Sequence, residues 1–157
     1  MRFVVIAVVI AACQSSDRAP PPAQATGKLE LVDAPATPAG SDVAPMIAQE
    51  VARAASDGKR LVVYVGASWC EPCQEFHAAA AAGKLDQVFP KLRLLVFDND
   101  RDAEALDAAG YRSQMIPLFV LPQADGRSSG KQIEGSIKGA DAVKQISPRL
   151  EALVRGS

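Results

Sequence analysis

Two cysteines separated by two residues follow an apolar run and open a helical pattern, in the segment Trp69-Cys70-Glu71-Pro72-Cys73. Thiol–disulfide exchange needs one accessible thiolate and a second thiol that resolves the mixed disulfide. A cysteine at a helix N-terminus faces unpaired N–H groups and the positive end of the helix dipole, which favour its thiolate. Cys70 has that position and Cys73 follows one turn later. The pattern therefore predicts that Cys70 is the nucleophile and Cys73 the resolving thiol.

The other residues of the motif suit the same chemistry. Pro72 fits the first turn of a helix, where the N–H that proline lacks has no bond to make. Trp69 supplies a flat apolar surface beside the sulfur, for substrate binding. Glu71 places a negative charge next to Cys70, where it disfavours the thiolate. Because a well-stabilised thiolate makes an oxidising couple, Glu71 favours a reductant.

The cysteine pair has three alternative interpretations: a structural disulfide, a zinc site and the metal site of a copper chaperone. A structural disulfide across two residues closes too short a loop to constrain the chain much. A zinc site built from Cys70, Cys73 and His77 would have only three ligands, and a copper chaperone would need a distant histidine or a Met-rich tract. His77, the only histidine in the sequence, is expected to be an ordinary polar residue of the helix. The sequence predicts a redox couple with no metal and no bound cofactor.

Size and composition restrict the classes of function. The chain has 157 residues, 48% of them apolar, with 17 basic and 18 acidic side chains. That is enough for one domain with a hydrophobic core. It shows no basic block or basic-aromatic stripe, so no nucleic-acid partner is expected. It shows no dimerisation domain, and a monomer is expected.

The N-terminal sequence MRFVVIAVVIAAC resembles the signal of a bacterial lipoprotein. Its apolar run, from Phe3 to Ala12, is too short to span a bilayer and fits a secretory signal. The last four letters, IAAC, resemble a lipobox and predict a signal peptide over residues 1–12 with a lipidated Cys13. An ordinary signal peptide or a buried strand is the alternative. The residue after the cysteine is Gln14 and not Asp, which favours the outer membrane as the destination of the lipoprotein. The protein is therefore expected on the periplasmic face of a bacterial membrane, with the outer membrane favoured.

A change of composition separates this signal from the folded domain. Residues 13–41 are predicted to be the lipidated cysteine and a linker rich in Pro and Ala, and the run of prolines from Pro20 to Pro22 favours an extended tether. A short apolar interlude, Leu29 to Val32, is compatible with an edge strand. The folded domain is predicted over residues 42–157.

Apolar periodicity and turn residues predict the order α-β-α-β-α-β-β-α, an α/β pattern with an antiparallel hairpin near its end. The predicted helices cover residues 41–57, 71–82, 100–109 and 138–154, and the predicted strands cover residues 61–65, 92–98, 116–121 and 130–135. Pro148 predicts a kink or a restart in the last helix.

This element order resembles the thioredoxin family over residues 43–154, with Trp-Cys-x-Pro-Cys at the end of the first core strand and Ile116-Pro117 opening the third. The CEPC motif is also similar to that of membrane-tethered extracytoplasmic thioredoxin-like lipoproteins, reductants in cytochrome c maturation. The resemblance implies the thioredoxin fold, with a central mixed sheet flanked by helices, and thiol-disulfide oxidoreductase activity on protein substrates. It implies that the Ile116–Pro117 bond is cis and lies against the cysteines, where the backbone of Ile116 binds an extended substrate.

Two departures from the family pattern concern the resolving thiol and the substrate loop. Where the family commonly buries an Asp that takes a proton from the resolving cysteine, this sequence has Tyr64, so water, Glu71 or Glu75 would have to do so. The segment YRSQMIP is about two residues longer than the usual approach to the cis-proline.

An extracytoplasmic reductant would need a membrane thiol-relay protein as electron donor. The alternative function is a redox-idle thioredoxin-fold lipoprotein that acts as a binding module.

Overall fold

The computed structural model describes residues 27–38 and 40–156. The predicted signal peptide, Cys13 and the proline run all lie outside the described residues. Nine elements follow one another along the chain: β1 (Glu30–Asp33), α1 (Ala44–Ser56), β2 (Arg60–Gly66), α2 (Glu71–Ala81), β3 (Leu92–Asp98), α3 (Asn99–Ala108), β4 (Leu118–Pro122), β5 (Ser128–Glu134) and α4 (Ala142–Arg155).

The five strands form one mixed sheet in the order β1-β3-β2-β4-β5. β1, β3 and β2 run parallel. β4 is antiparallel to β2, and β5 is antiparallel to β4. The predicted α/β fold with a C-terminal hairpin is confirmed. Because β2 is central and parallel to β3, the residues that follow both strands meet at one edge of the sheet.

The sheet begins before residue 42, the predicted start of the domain. Residues 30–33, assigned to the linker in the prediction, form β1 and pair with β3 in register Glu30 to Arg93 through Asp33 to Val96. The preceding Leu29 is buried. A strand of four residues is too short to show a clear alternation of apolar and polar side chains. It forms by pairing with β3, which lies about 60 residues further along the chain. The edge strand considered for the interlude Leu29 to Val32 is confirmed, and the predicted start of the folded domain at residue 42 is corrected, because this strand belongs to the sheet.

The core has two layers, one on each face of the sheet. In β2, Val63 and Val65 face the layer that contains α1 and α3, whereas Val62 and Tyr64 face the layer that contains α2 and α4. This alternation follows from the period of two in a strand. Since both faces are covered, β2 shows the nearly continuous apolar run of a buried parallel strand.

The C-terminal helix is continuous across Pro148, so it does not restart at Ser147. Ile146 and Leu150, one on each side of the proline, are both fully buried against the sheet, and this packing holds the helix in place across the missing hydrogen bond. Among the described residues, none of the helices has both the length and the apolar character needed to cross a bilayer.

Candidate active site

Cys70 and Cys73 form a disulfide with an S–S distance of 2.04 Å at the start of α2. Cys70 is the N-cap residue, with an extended backbone at φ −83° and ψ 100°. Its N–H donates to the Ala67 carbonyl (3.1 Å), and its carbonyl accepts the first helical hydrogen bond, from Gln74 (3.0 Å). The strand-to-helix turn predicted from the sequence therefore positions the pair at the edge of the sheet where β2 ends.

The N-terminus of α2 is free to stabilise an anion on Cys70. Among the described residues no side chain caps this helix, and Pro72 lies in its first turn. The first N–H groups of a helix have no partner within it. The N–H groups of Glu71 and Cys73 therefore have no acceptor within the helix, and a helix N-terminus of this kind favours a thiolate on its N-cap cysteine.

Depth of burial does not separate the two cysteines. In the disulfide form, 4% of Cys70 and 3% of Cys73 is exposed. Their packing differs instead. Cys73 lies directly over Gly66, where a Cβ atom would come within 3.3 Å of the Cys73 Cβ. Cys73 is thus held against β2, whereas Cys70 lies at the helix end.

Tyr64 occupies the position beneath Cys73 where the family commonly has an acid. Its ring stacks on Phe119 with centroids 4.7 Å apart and meets Phe76 edge-on. Its hydroxyl donates to the Cys73 carbonyl at 2.9 Å. Burial raises the pKa of Tyr64 far above its ordinary value. The phenol therefore stays protonated at neutral pH and supports the helix, but it is no acceptor for the Cys73 proton.

The Ile116–Pro117 bond is cis, as the resemblance implies. Ile116 packs against the small apolar cluster of Ala67, Cys70 and Cys73. The Pro117 carbonyl accepts a hydrogen bond from the Gly135 N–H at 2.9 Å. The turn before β4 is thereby placed beside the disulfide, although the two lie more than 40 residues apart in the sequence.

A groove of about 380 Å³ lies beside the disulfide. The residues that line it include Trp69, Met115, Ile116 and Gly135. Met115 is 57% exposed, and its side chain lies above Gly135, within 3.3 Å of where a Cβ atom would be. The groove therefore offers apolar side chains and the backbone before the proline to an extended chain.

Glu134 holds the long loop that forms one wall of the groove. Its carboxylate accepts hydrogen bonds from the Ser113 hydroxyl and from the Gln114 N–H, the latter at 3.2 Å. The Ser113 hydroxyl in turn accepts the Met115 N–H at 3.0 Å. The length of this loop was visible in the sequence. Its attachment to β5 was not, because Glu134 looks like any exposed strand residue.

Trp69 forms the opposite wall and is held by α3. The Trp69 side chain is 65% exposed, and its Nε1–H donates to Asp100 Oδ2 at 2.8 Å. Asp98 caps α3 by accepting from the N–H groups of Asp100 and Arg101. The acidic first turn of this helix, which also matches the positive end of its dipole, therefore fixes the tryptophan.

Glu71 points to a different part of the chain. Its Oε1 atom accepts the Gly139 N–H at 3.0 Å, so it ties the N-terminus of α2 to the loop between β5 and α4. This loop carries Ile137, one of the exposed large apolar side chains. Glu71 therefore has a structural contact in addition to its charge, and its carboxylate is bound to backbone outside the motif.

A second pocket, of about 530 Å³, reaches Cys73 from the side away from the groove, and His77 lines it together with Cys73. His77 lies one helical turn after Cys73, which places the two side chains on the same face of α2. Glu75 is exposed and Glu71 does not line this pocket. Within the described residues, no cluster of three or more His, Cys, Asp or Glu side chains is arranged to hold a metal ion.

The chain is similar in structure to solved proteins and is distantly similar in sequence to a curated protein. The chain superposes with a TM-score of 0.50 on a structure from a study of thiol resolution in yeast mitochondrial 1-Cys peroxiredoxin via glutathione/thioredoxin systems, with 21% identity, over 81% of this chain and 95% of that one. It is also similar to Trichomonas vaginalis thioredoxin, with a TM-score of 0.49, 19% identity and coverage of 81% and 97%. No model of a known protein family matches the chain.

In sequence, the chain is 28% identical over 105 residues to probable nucleoredoxin 1 of Arabidopsis thaliana. The match covers 62% of this chain and only 17% of that protein, so the chain spans a small part of its relative's length. The superposition with a TM-score of 0.50, together with the strand order and the flanking helices, identifies the fold of the chain.

Proposed function

We propose that this chain, which has the thioredoxin fold, is a thiol–disulfide oxidoreductase that reduces disulfides of protein substrates with Cys70 and Cys73. The observation that carries the proposal is the Cys70–Cys73 disulfide at the uncapped start of α2, in contact with Ile116 and beside an apolar groove. A purely structural disulfide would need neither an uncapped helix N-terminus nor a groove beside it.

The chemistry follows from this arrangement. The Cys70 thiolate attacks one sulfur of a substrate disulfide, and the other sulfur leaves as a thiolate. The Cys73 thiolate then attacks Cys70 Sγ, the bond between Cys70 and the substrate breaks, and the second substrate thiolate leaves. Two electrons pass from the Cys70–Cys73 dithiol to the substrate, and an external dithiol must reduce the pair again.

The same observations suit an extended polypeptide as substrate. The groove exposes Trp69 and Met115 on either side of the backbone at Ile116. A peptide strand can bond to this backbone while its side chains contact the apolar walls. The proposed partners are therefore protein disulfides, with no requirement for a bound cofactor.

Insulin reduction by dithiothreitol, followed by the turbidity of the precipitating B chain, tests this function. The wild-type protein is expected to accelerate precipitation well above the rate with dithiothreitol alone, and a Cys70→Ser variant is expected not to. A wild-type rate equal to the uncatalysed rate would favour the redox-idle binding module instead.

The direction of electron flow is proposed to be reductive because of Glu71. Replacing it by Gln removes the charge but keeps an oxygen that can accept the Gly139 N–H, whereas Glu71→Ala removes both. Glu71→Gln is expected to make the couple more oxidising by up to about 30 mV for each tenfold gain in thiolate stability. Equilibration with glutathione measures the potential of both variants. A shift toward a more reducing potential in Glu71→Gln would contradict the charge argument, and a shift confined to Glu71→Ala would assign the effect to the hydrogen bond.

We further propose that the protein works outside the cytoplasm as a lipoprotein, supplied with electrons by a membrane thiol-relay protein. The support is the lipobox-like sequence that ends at Cys13. Cys13→Ala is expected to leave the signal uncleaved or to release the protein from the membrane fraction, because a protein anchored by several acyl chains loses all of them with this cysteine. Fractionation with N-terminal sequencing checks this. A normally cleaved variant that stays in the membrane fraction would refute it.

A further inference from the structure

The pocket behind Cys73 brings together the resolving thiol and the only histidine of the chain. It is lined by residues of five elements and of the segments that adjoin them. The titratable or charged members are Asp33, Tyr64, Cys73, His77, Asp98 and Arg101. A water molecule in liquid occupies about 30 Å³, so a pocket of about 530 Å³ with these polar side chains in its wall has room for several. Cys73 and His77 therefore border the same solvent-accessible space.

Three of the other titratable groups are already committed to other roles. Tyr64 donates to the Cys73 carbonyl. Asp98 accepts two N–H groups as the cap of α3. Arg101 donates to Asp102 and to the Ala34 carbonyl, and its hydrogen bond with Asp102 raises its pKa, so it remains a cation.

Asp33 is the remaining acid of the pocket. It is exposed at the end of β1, the edge strand, which β3 separates from β2. Cys73, by contrast, packs on Gly66 of β2. His77 shares a helix with Cys73 at a spacing of four residues, which places the two side chains on one face. An imidazole is also the side chain that most often acts as a general base in proteins.

We propose that His77 is the proton acceptor for Cys73 in the step that releases the substrate. In the mixed disulfide, the Cys73 thiol gives its proton through water to His77. The resulting thiolate attacks Cys70 Sγ, the substrate leaves as a thiolate, and the imidazolium returns its proton to solvent at the mouth of the pocket. This assignment rests on the proposed function, and it fills the role that Tyr64 leaves vacant.

The two steps can be timed separately with 5,5′-dithiobis(2-nitrobenzoate), a small aromatic disulfide. Attack by Cys70 releases one coloured thiolate, and resolution by Cys73 releases a second. All variants carry Cys13→Ser, so that only the two site thiols react. In His77→Ala the second phase is expected to slow on the order of 10²-fold at pH 7, the lower end for loss of a general base. The first phase should change less than about twofold.

The pH profile and chemical rescue distinguish a proton acceptor from a structural residue. The deficit of His77→Ala should disappear at high pH, where the Cys73 thiol ionises without help. Free imidazole, admitted by the open pocket, should accelerate the second phase in His77→Ala and not in the wild type. Glu75→Ala, on an exposed site of the same helix, and Asp33→Asn are the controls and should match the wild type.

A second phase in His77→Ala within about twofold of the wild type at every pH would overturn the proposal. An equal slowing in Glu75→Ala or Asp33→Asn would also overturn it and assign the role to that acid. Because the small disulfide needs no protein-binding groove, failure to reduce insulin would count against the proposed function and leave this result intact.

Discussion

Cys73→Ser is expected to accumulate covalent complexes with the natural substrates of the protein. Cys70 at the uncapped start of α2 can still attack a substrate disulfide, but no thiol remains at position 73 to break the mixed disulfide quickly. The complexes should appear on non-reducing gels and disappear after reduction. Their partners, identified by mass spectrometry, would also name the substrates. Insulin reduction by this variant should fall to the rate of dithiothreitol alone.

Cys70→Ser is the matched control and should trap nothing. Its remaining thiol, on Cys73, is packed over Gly66 and lies within the first turn of the helix instead of at its end. Alkylation of the reduced wild type at mildly acidic pH should modify Cys70 first, since its thiolate faces the free N–H groups. Trapping by Cys70→Ser, or faster alkylation of Cys73, would reverse the assignment of the two thiols.

Asp102→Asn is expected to lower the free energy of unfolding by about 2 kcal/mol, within the range for hydrogen bonds to a charged group. Asp102 is 1% exposed. Its carboxylate accepts from the Thr37 hydroxyl at 2.5 Å, from the Asp98 N–H at 3.1 Å and from two nitrogens of Arg101. It therefore joins the loop after β1 to the start of α3, next to the pocket. Urea unfolding at pH 7 measures the loss.

Asp107→Asn is the control on the same helix. Asp107 pairs with Arg112, and both side chains are more than half exposed. Because exposed ion pairs contribute little, this variant should change the free energy of unfolding by less than about 1 kcal/mol. A loss in Asp102→Asn no larger than that in Asp107→Asn would contradict the role given to the buried carboxylate.

The contribution of Asp102 should also depend on pH. Burial alone would raise the pKa of Asp102, but hydrogen bonds from Arg101, Thr37 and the Asp98 N–H bring it below its ordinary value. A lowered pKa in the folded state stabilises the protein above the unfolded-state pKa of about 3.9, and this contribution is lost as the pH falls through the folded pKa. The difference between wild type and Asp102→Asn should therefore be constant above about pH 5 and shrink below pH 4. An equal difference at pH 7 and pH 3 would contradict this.

Much of the fold was predictable because it depends on local patterns. The buried β2 is visible as a β-branched run, and α2 follows a cysteine and has a proline in its first turn. Glycines or acidic residues mark the ends of several other elements. Where a strand is short, the local signal fails. β1 was only suspected from Leu29 to Val32, since its four residues form a strand through pairing with β3. The restart considered at Pro148 does not occur for a related reason: burial of Ile146 and Leu150 outweighs the local preference to break the helix.

The sequence by itself determined the chemistry of the site. Two cysteines at a helix start, with a proline in the first turn, restrict the reaction to thiol chemistry, because reactivity of this kind depends on neighbours within one helical turn. The tertiary structure alone decided what surrounds the pair. Glu71 bonds to Gly139, Glu134 holds the substrate loop, Asp100 holds Trp69, and His77 shares a pocket with Cys73. Each of these contacts depends on how a helix is rotated against the sheet or on which loop packs against that helix. That rotation is fixed by packing between residues far apart in the chain, and no short stretch of sequence records it.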